Sequence, residues 1–312
     1  DVLGSRGLGD VYKRQEKQNA NIFVFEGNEK QSVAEIKEKS ESFAKAEIYV
    51  GTLPEEVMDK LDFVVLSPGV PTDLPLVNAM HDKKITIIGE IELAYQVAKG
   101  KILAITGTNG KTTTTTLVGE ILSNYFKDVK VVGNIGIPYT SVAADTTEET
   151  VTAAEISSFQ LETIVDFAPD VSAILNITPD HLDRYDYKFE NYANSKFRIL
   201  NNMRKEDLFI YGYDCEVVQE RVERGDVLPE AVGFTYSNCT GVNAYMDGDT
   251  VVARWRDREF RIAKQEVTIQ GRHNVYNTMA AILAALKTGG SDEDLRKGLT
   301  TCLLYTSDAA DE

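Results

Sequence analysis

Four short apolar runs, Ile22 to Phe25, Ile48 to Val50, Phe63 to Leu66 and Ile85 to Ile88, alternate with charge-rich stretches such as Ser32 to Ala46. That rhythm predicts βαβα units with parallel strands, because a parallel connection needs a crossover long enough to be a helix. Glu90 to Ala98 reads as one more short helix, and Lys99-Gly100-Lys101 as the hinge into a second unit.

Beyond the hinge the pattern turns more apolar. A strand is predicted at Ile102 to Thr106, a helix at Lys111 to Phe126, and strands at Val129 to Val132, Val151 to Glu155 and Val171 to Ile177. Near-continuous apolar strands imply a sheet covered on both faces. Val242 to Ile269 instead alternates polar and apolar positions around Asp247-Gly248-Asp249, which predicts antiparallel hairpins at the sheet edge. Asn274 to Lys287 reads as a buried helix closed by Gly289-Gly290, and Asp292 to Leu299 as another helix. The fold class is α/β, with a Rossmann-like first domain over residues 16–98 and a central phosphate-loop domain over residues 99–300.

Composition narrows the function classes. At 312 residues the chain exceeds what one core usually holds, which agrees with two domains. With 33 basic and 49 acidic residues the net charge is −16, and no local basic patch offsets it, so nucleic acid and membrane surfaces are not expected partners. The three cysteines, Cys215, Cys239 and Cys302, have no metal-ligand spacing and predict reduced thiols. The longest apolar run, Met279 to Leu286, is too short to cross a bilayer, and a cytoplasmic location with a monomeric state is expected.

The chemistry gathers at strand ends. Thr106-Gly107-Thr108-Asn109-Gly110-Lys111-Thr112-Thr113 lies between an apolar strand and a helix with apolar positions at Leu117, Val118, Ile121 and Leu122. Glycines allow backbone N–H groups to turn toward an anion, the helix start adds partial positive charge, Lys111 adds a full one, and Thr112 offers a hydroxyl to Mg²⁺. The spacing is the shorter G-x-x-G-K-T form, and the plain alternative is a glycine-rich turn with no ligand. A phosphate loop in an acidic protein needs a carboxylate to hold magnesium, and Glu155, ending an apolar strand, is the best placed. Thr178-Pro179-Asp180-His181-Leu182-Asp183-Arg184 begins where another strand ends, and His181 there is a metal ligand, an acid–base group or a structural histidine.

Lys196 falls on the apolar stripe of a helix that carries Phe189, Tyr192, Ala193, Ile199 and Leu200. If desolvated, its amine becomes neutral and can capture CO₂ as a carbamate. The bland alternative, favoured by position alone, is a lysine that snorkels with its ammonium in water.

Taken together, Gly107 to Thr113, Gly133-Asn134-Ile135-Gly136, Glu155 to Leu161, Asn176 to Tyr185 and Gly271-Arg272-His273-Asn274 resemble the Mur ligases in order and spacing over about residues 20–300. The Ser-Ser-Phe-Gln-Leu and Asp-His-Leu-Asp-Arg-Tyr stretches resemble the branch that adds D-glutamate to UDP-N-acetylmuramoyl-L-alanine. The resemblance implies an ATP-dependent ligase of peptidoglycan precursor synthesis that works through an acyl phosphate. It implies that Gly107, Thr108, Asn109, Gly110, Lys111, Thr112 and Thr113 hold the ATP phosphates and that Asn274 and Asn277 approach adenine. Thr112 and Glu155 would serve a first Mg²⁺, and His181 and a carbamate on Lys196 a second, since Lys196 follows His181 by the family interval. Asn134 and Arg184 would face the substrate, and Ser67-Pro68-Gly69 the uridine diphosphate. Lys111, His181 and Lys196 are the implied catalytic set.

The chain departs from the family at both ends. Residues 1–15 show no apolar run for the first strand and glycine-rich loop that the resemblance implies, the implied C-terminal Rossmann-like domain is expected to be absent, and residues 1–15 and 301–312 read as foreign sequence flanking a fragment. A nucleotide-binding module without turnover, and a sister ligase for another amino acid, are the competing expectations.

Overall fold

The computed structural model describes residues 21–39, 46–134 and 136–302. The reading of residues 1–15 as a leader, and of the tail from 303 onward, lies outside them. Thr301 closes the last helix among the described residues, and Cys302 after it is buried.

The chain divides into two compact units, one running to Ala98 and joined by Pro138–Asp145 and Glu162–Asp166, the other comprising the rest from Lys99. In the first, β1 (Phe23–Glu26) pairs in parallel with β2 (Glu47–Val50) across helix α1 (Val33–Lys39). The predicted helix to Ala46 is described only as far as Lys39. β3 (Phe63–Leu66) pairs in parallel with β4 (Thr86–Gly89) across α2 (Glu55–Met58) and α3 (Pro75–Asp82). Phe23 and Phe25 of β1 pack with Val64 of β3 and Ile87 of β4 around Val57, Met58 and Met80, so the two pairs share one core. Helix α4 (Glu90–Tyr95) follows β4 directly.

The second unit carries a nine-stranded sheet in the order β13-β12-β11-β10-β9-β8-β5-β7-β6 among the described residues. Its parallel part comprises β5 (Lys101–Thr106), β6 (Val129–Gly133), β7 (Val151–Glu155), β8 (Val171–Ile174), β9 (Leu208–Gly212), β10 (Glu230–Phe234) and β11 (Ala244–Asp247). β12 (Thr250–Trp255) and β13 (Arg258–Ala263) add the antiparallel edge that the alternation between Val242 and Ile269 predicts. β7, β8 and β9 are buried at every position, as expected of strands covered on both faces. β9 and β10 had no counterpart in the sequence reading; Glu230–Phe234 is short and interrupted by Gly233, which weakens a strand signal.

One face of the sheet is covered by α5 (Lys111–Leu122) and by the long α10 (Arg272–Thr288), through Leu117, Ile121, Met279, Ile282 and Leu286. Between them in sequence lie α6 (Tyr139–Val142), α7 (Ser158–Leu161), α8 (Phe189–Phe197) and α9 (Glu216–Glu223); α11 (Asp292–Thr301) follows, with a Ser291–Asp294 capping box. In helix α5 Lys111 is followed by five consecutive threonines, a β-branched run of poor helix propensity, so packing of its apolar face rather than local preference sustains it.

Register brings the carboxyl ends of the central strands level: Glu155 pairs with Ile105 on one side and with Gly133 on the other. Gly133 is required there. Its φ is 115°, and a Cβ would run into the Glu155 carbonyl oxygen, a backbone atom that has no room to yield. Gly133→Ala is expected to destabilise the unit by roughly 2–4 kcal/mol, the combined cost of a disfavoured backbone and an overpacked contact. A urea titration reads this as a lower midpoint at unchanged slope, and a parental midpoint would refute it.

Candidate functional site

The site lies where β5 is flanked by β7 and β8, the place in an open parallel sheet where neighbouring crossovers diverge and strand ends leave a crevice. The phosphate loop leaves β5 at Thr106 and ends at Gly110, the N-cap of α5, whose φ of 84° places it in the left-handed region. No side chain caps α5, and a Cβ at residue 110 would collide with Asn277 Oδ1. The first-turn N–H groups of α5 are thus directed at a space that suits an anion.

The predicted strand to Ile177 stops at Ile174, because the following residues leave the sheet to bind the loop. Thr108 N–H donates to the Asn176 carbonyl at 2.9 Å, Asn109 N–H to Asn176 Oδ1 at 2.9 Å, and Asn176 Nδ2 to the Asn109 carbonyl at 3.0 Å. Thr178 N–H donates to Thr108 Oγ1 at 3.0 Å. The loop is therefore fixed by a segment about seventy residues downstream rather than by its own turn.

Glu155 is the centre of the polar arrangement. Its side chain is 1% exposed, and it accepts from Thr112 Oγ1 at 2.8 Å and from Asn134 Nδ2 at 3.1 Å. Lys111 donates to the Thr108 carbonyl at 2.8 Å, and burial pushes its pKa down against the opposing pull of Glu155 and Asp180. Hydroxyl and carboxylate oxygens side by side are the hard donors that Mg²⁺ takes when phosphate oxygens and water complete its shell, so Thr112 and Glu155 fit that ion.

Lys196 is 2% exposed. The snorkelling alternative is thereby overturned: α8 turns this residue inward, where Nζ donates to the Gly107 carbonyl at 2.8 Å and sits 4.8 Å from the Tyr192 ring centroid. Burial lowers its pKa to about 7, and the positive charge of Lys111 adds to the effect. Tyr192, one turn earlier on α8, reaches Thr108 Oγ1 at 3.1 Å. Both residues thus contact the phosphate loop.

His181 has φ 48°, and its imidazole is 55% exposed, with Nε2 3.6 Å from Asp180 Oδ2 and the ring 5.2 Å from that of Phe159. Arg184 lies over the same Phe159 ring at 4.7 Å. Among the described residues no three His, Cys, Asp or Glu side chains form a group suited to a metal ion.

A cavity of about 1450 Å³ opens beside the loop, with Asn109, Gly110, Thr112 and Thr113 at one part of its lining and Asn274 and Asn277 of α10 at another. Asn277 Nδ2 donates to Asn274 Oδ1 at 3.1 Å, and Asn274 Nδ2 to the Gln270 carbonyl at 2.8 Å, which orients both amides. Ser67, Pro68 and Gly69 follow β3 in the first unit, whereas the residues described above belong to the second. Sequence reasoning assigned no role to Asn176, Tyr192 or Phe159. The i, i+4 spacing of Tyr192 and Lys196 was an available signal, since it puts both on one helix face.

A family model described as the Mur ligase middle domain matches residues 105–285. The chain is similar to the UDP-N-acetylmuramoylalanine--D-glutamate ligase of Lachnoclostridium phytofermentans, at 43% identity over 285 residues, 91% of this chain and 62% of that protein. It is also similar to the protein of that name from Lachnospira eligens, at 42% identity over 297 residues, 94% of this chain and 64% of that one. The chain thus spans less than two thirds of the length of these relatives. Among solved structures it shares a fold with the UDP-N-acetylmuramate:L-alanyl-gamma-D-glutamyl-meso-diaminopimelate ligase of Neisseria meningitides, at 14% identity and a TM-score of 0.59 over 94% of each chain.

Proposed function

Because the chain belongs to the Mur ligase family, we propose that it is the nucleotide-binding part of an ATP-dependent ligase that joins D-glutamate to UDP-N-acetylmuramoyl-L-alanine in the cytoplasm. The observation that carries this reading is the buried Glu155 carboxylate bridging Thr112 and Asn134, beside a phosphate loop whose carbonyls hold both Lys111 and Lys196. The choice of D-glutamate is supported by the identity to relatives of that name.

In this reading the substrate carboxylate takes the γ-phosphoryl group of ATP, ADP leaves, and the amine of D-glutamate displaces phosphate from the acyl phosphate to form the amide. Transfer between two anions is chiefly an electrostatic problem. Lys111 leaves the Thr108 carbonyl for the β and γ phosphates, while the α5 N-terminus and the loop amides cradle them. Asn274 and Asn277 meet the base and Arg184 an anionic group of the substrate, with Ser67-Pro68-Gly69 at the uridine diphosphate. Asn134, held by Glu155, faces the substrate. Magnesium at Thr112 and Glu155, with a second ion served by His181 and Lys196, would neutralise charge on the transferred group. The Lys196 amine, neutral in a large share of molecules near pH 7, attacks the carbon of CO₂ and loses a proton to solvent, giving a carbamate anion.

Release of phosphate from ATP that requires both UDP-N-acetylmuramoyl-L-alanine and D-glutamate tests the reading. Turnover with another amino acid would make the chain a sister ligase. Nucleotide binding without phosphate release would make it a binding module.

A further inference from the structure

Phe159 stands on α7, four residues after Glu155, and its half-buried ring touches two side chains that reach it from a different segment. The Arg184 guanidinium lies 4.7 Å from the ring centroid, and the His181 ring lies at 5.2 Å with a 54° tilt. Behind it, Tyr185 stacks at 6.2 Å and 17°, Tyr192 lies 5.4 Å from Tyr185, and the Tyr192 hydroxyl meets Thr108 of the phosphate loop at 3.1 Å. A row of rings therefore runs from the phosphate loop to Arg184 and His181.

The local backbone explains why such support is needed. Leu182–Tyr185 is a single 3₁₀ turn bracketed by His181 and Asp186, both left-handed, at φ 48° and 54°. Neither is glycine, so each junction carries strain that surrounding contacts must offset. One short turn between strained junctions has no helix body to orient its side chains. Tyr185 of the turn is buried, and its ring stacks on that of Phe159.

We propose that Phe159 is a positioning residue: its ring holds the flat face of the Arg184 guanidinium, so that the N–H edge is presented to an anionic group of the UDP-linked substrate, and it sets the orientation of the His181 imidazole. The chemistry favours this division of labour, because an aromatic face attracts a guanidinium without occupying the in-plane donors that pair with carboxylate or phosphate. The inference rests on the reading of Arg184 as substrate-facing.

The test is calorimetric titration of the chain, and of its Phe159→Leu, Phe159→Met, Phe159→Tyr and Arg184→Ala variants, with UDP-N-acetylmuramoyl-L-alanine and separately with Mg²⁺ and a non-hydrolysable ATP analogue. Loss of the ring face in the Leu and Met variants should weaken the UDP-linked substrate about tenfold. Nucleotide affinity should stay within about twofold, and Tyr should retain parental affinity for both ligands. A merely structural role would weaken both ligands alike and would not spare the nucleotide, which overturns the proposal. Parental substrate binding by the Leu and Met variants, in the face of weakened binding by Arg184→Ala, overturns it as well. Substrate affinity unchanged by Arg184→Ala, or absent in the parent, overturns the reading of Arg184 and this inference with it.

Discussion

Replacing Lys111 with Ala is expected to weaken binding of a Mg²⁺-loaded ATP analogue by about 100-fold or more and to erase its thermal stabilisation of the protein. The Lys111 ammonium is partly desolvated, its pKa is lowered by that burial, and in the free protein it donates to the neutral Thr108 carbonyl. A polyphosphate is a far better partner for a desolvated cation, so the gain on binding is large. At a ligand concentration one hundred times the parental Kd, binding adds about 2.7 kcal/mol to stability, whereas a site weakened 100-fold gains about 0.4 kcal/mol. Melting with and without the analogue reads the difference. Ligand-induced stabilisation of the parental size in the variant would remove Lys111 from the site.

The second large effect concerns Lys196, and its two consequences have opposite signs. Burial lowers the folded pKa to about 7 from the ordinary 10.5, so between those values the unfolded chain binds a proton that the folded chain does not. Stability therefore rises with pH across that window, and below pH 7 the folded state carries the full cost of a charged, desolvated ammonium, at most about 5 kcal/mol. Lys196→Met removes the titration. It should stabilise the protein by about 1–4 kcal/mol at pH 7, with the advantage shrinking toward pH 10. Denaturation curves at pH 7, 8.5 and 10 check this, and parallel behaviour of parent and variant would show that Lys196 is not desolvated. The same substitution is expected to abolish any substrate-dependent phosphate release, with bicarbonate unable to restore it. Parental release by the variant would refute the carbamate.

The sequence made some of this arrangement legible because it is local. A strand, a Gly-Lys turn and a helix are contiguous from Ile102 to Leu122, and the carboxylate that ends β7 is announced by the apolar run before it. Other parts depend on contacts across the fold. The fate of Lys196 turns on what roofs its helix, and the roof is Gly107, 89 positions away. No pattern within Phe189–Phe197 separates a lysine that escapes to water from one covered by another segment. The apolar pattern runs three residues past the end of β8 for a related reason: Leu175 and Ile177 suit a strand, but Asn176 between them is committed to the phosphate loop. The meeting of Arg184 and His181 on Phe159 joins segments whose spacing carries no periodic signal.

The downstream fastening of the phosphate loop also bears on how the protein comes into being during translation. Asn176 and Thr178 lie 67 and 70 positions beyond the loop residues they hold, and Lys196 lies 89 beyond Gly107. A nascent chain that has emerged only through α5 carries the nucleotide motif without the partners that shape it, and the threonine-rich start of that helix has little tendency to form alone. The contacts that shape the phosphate loop are thus complete only once α8 has been made.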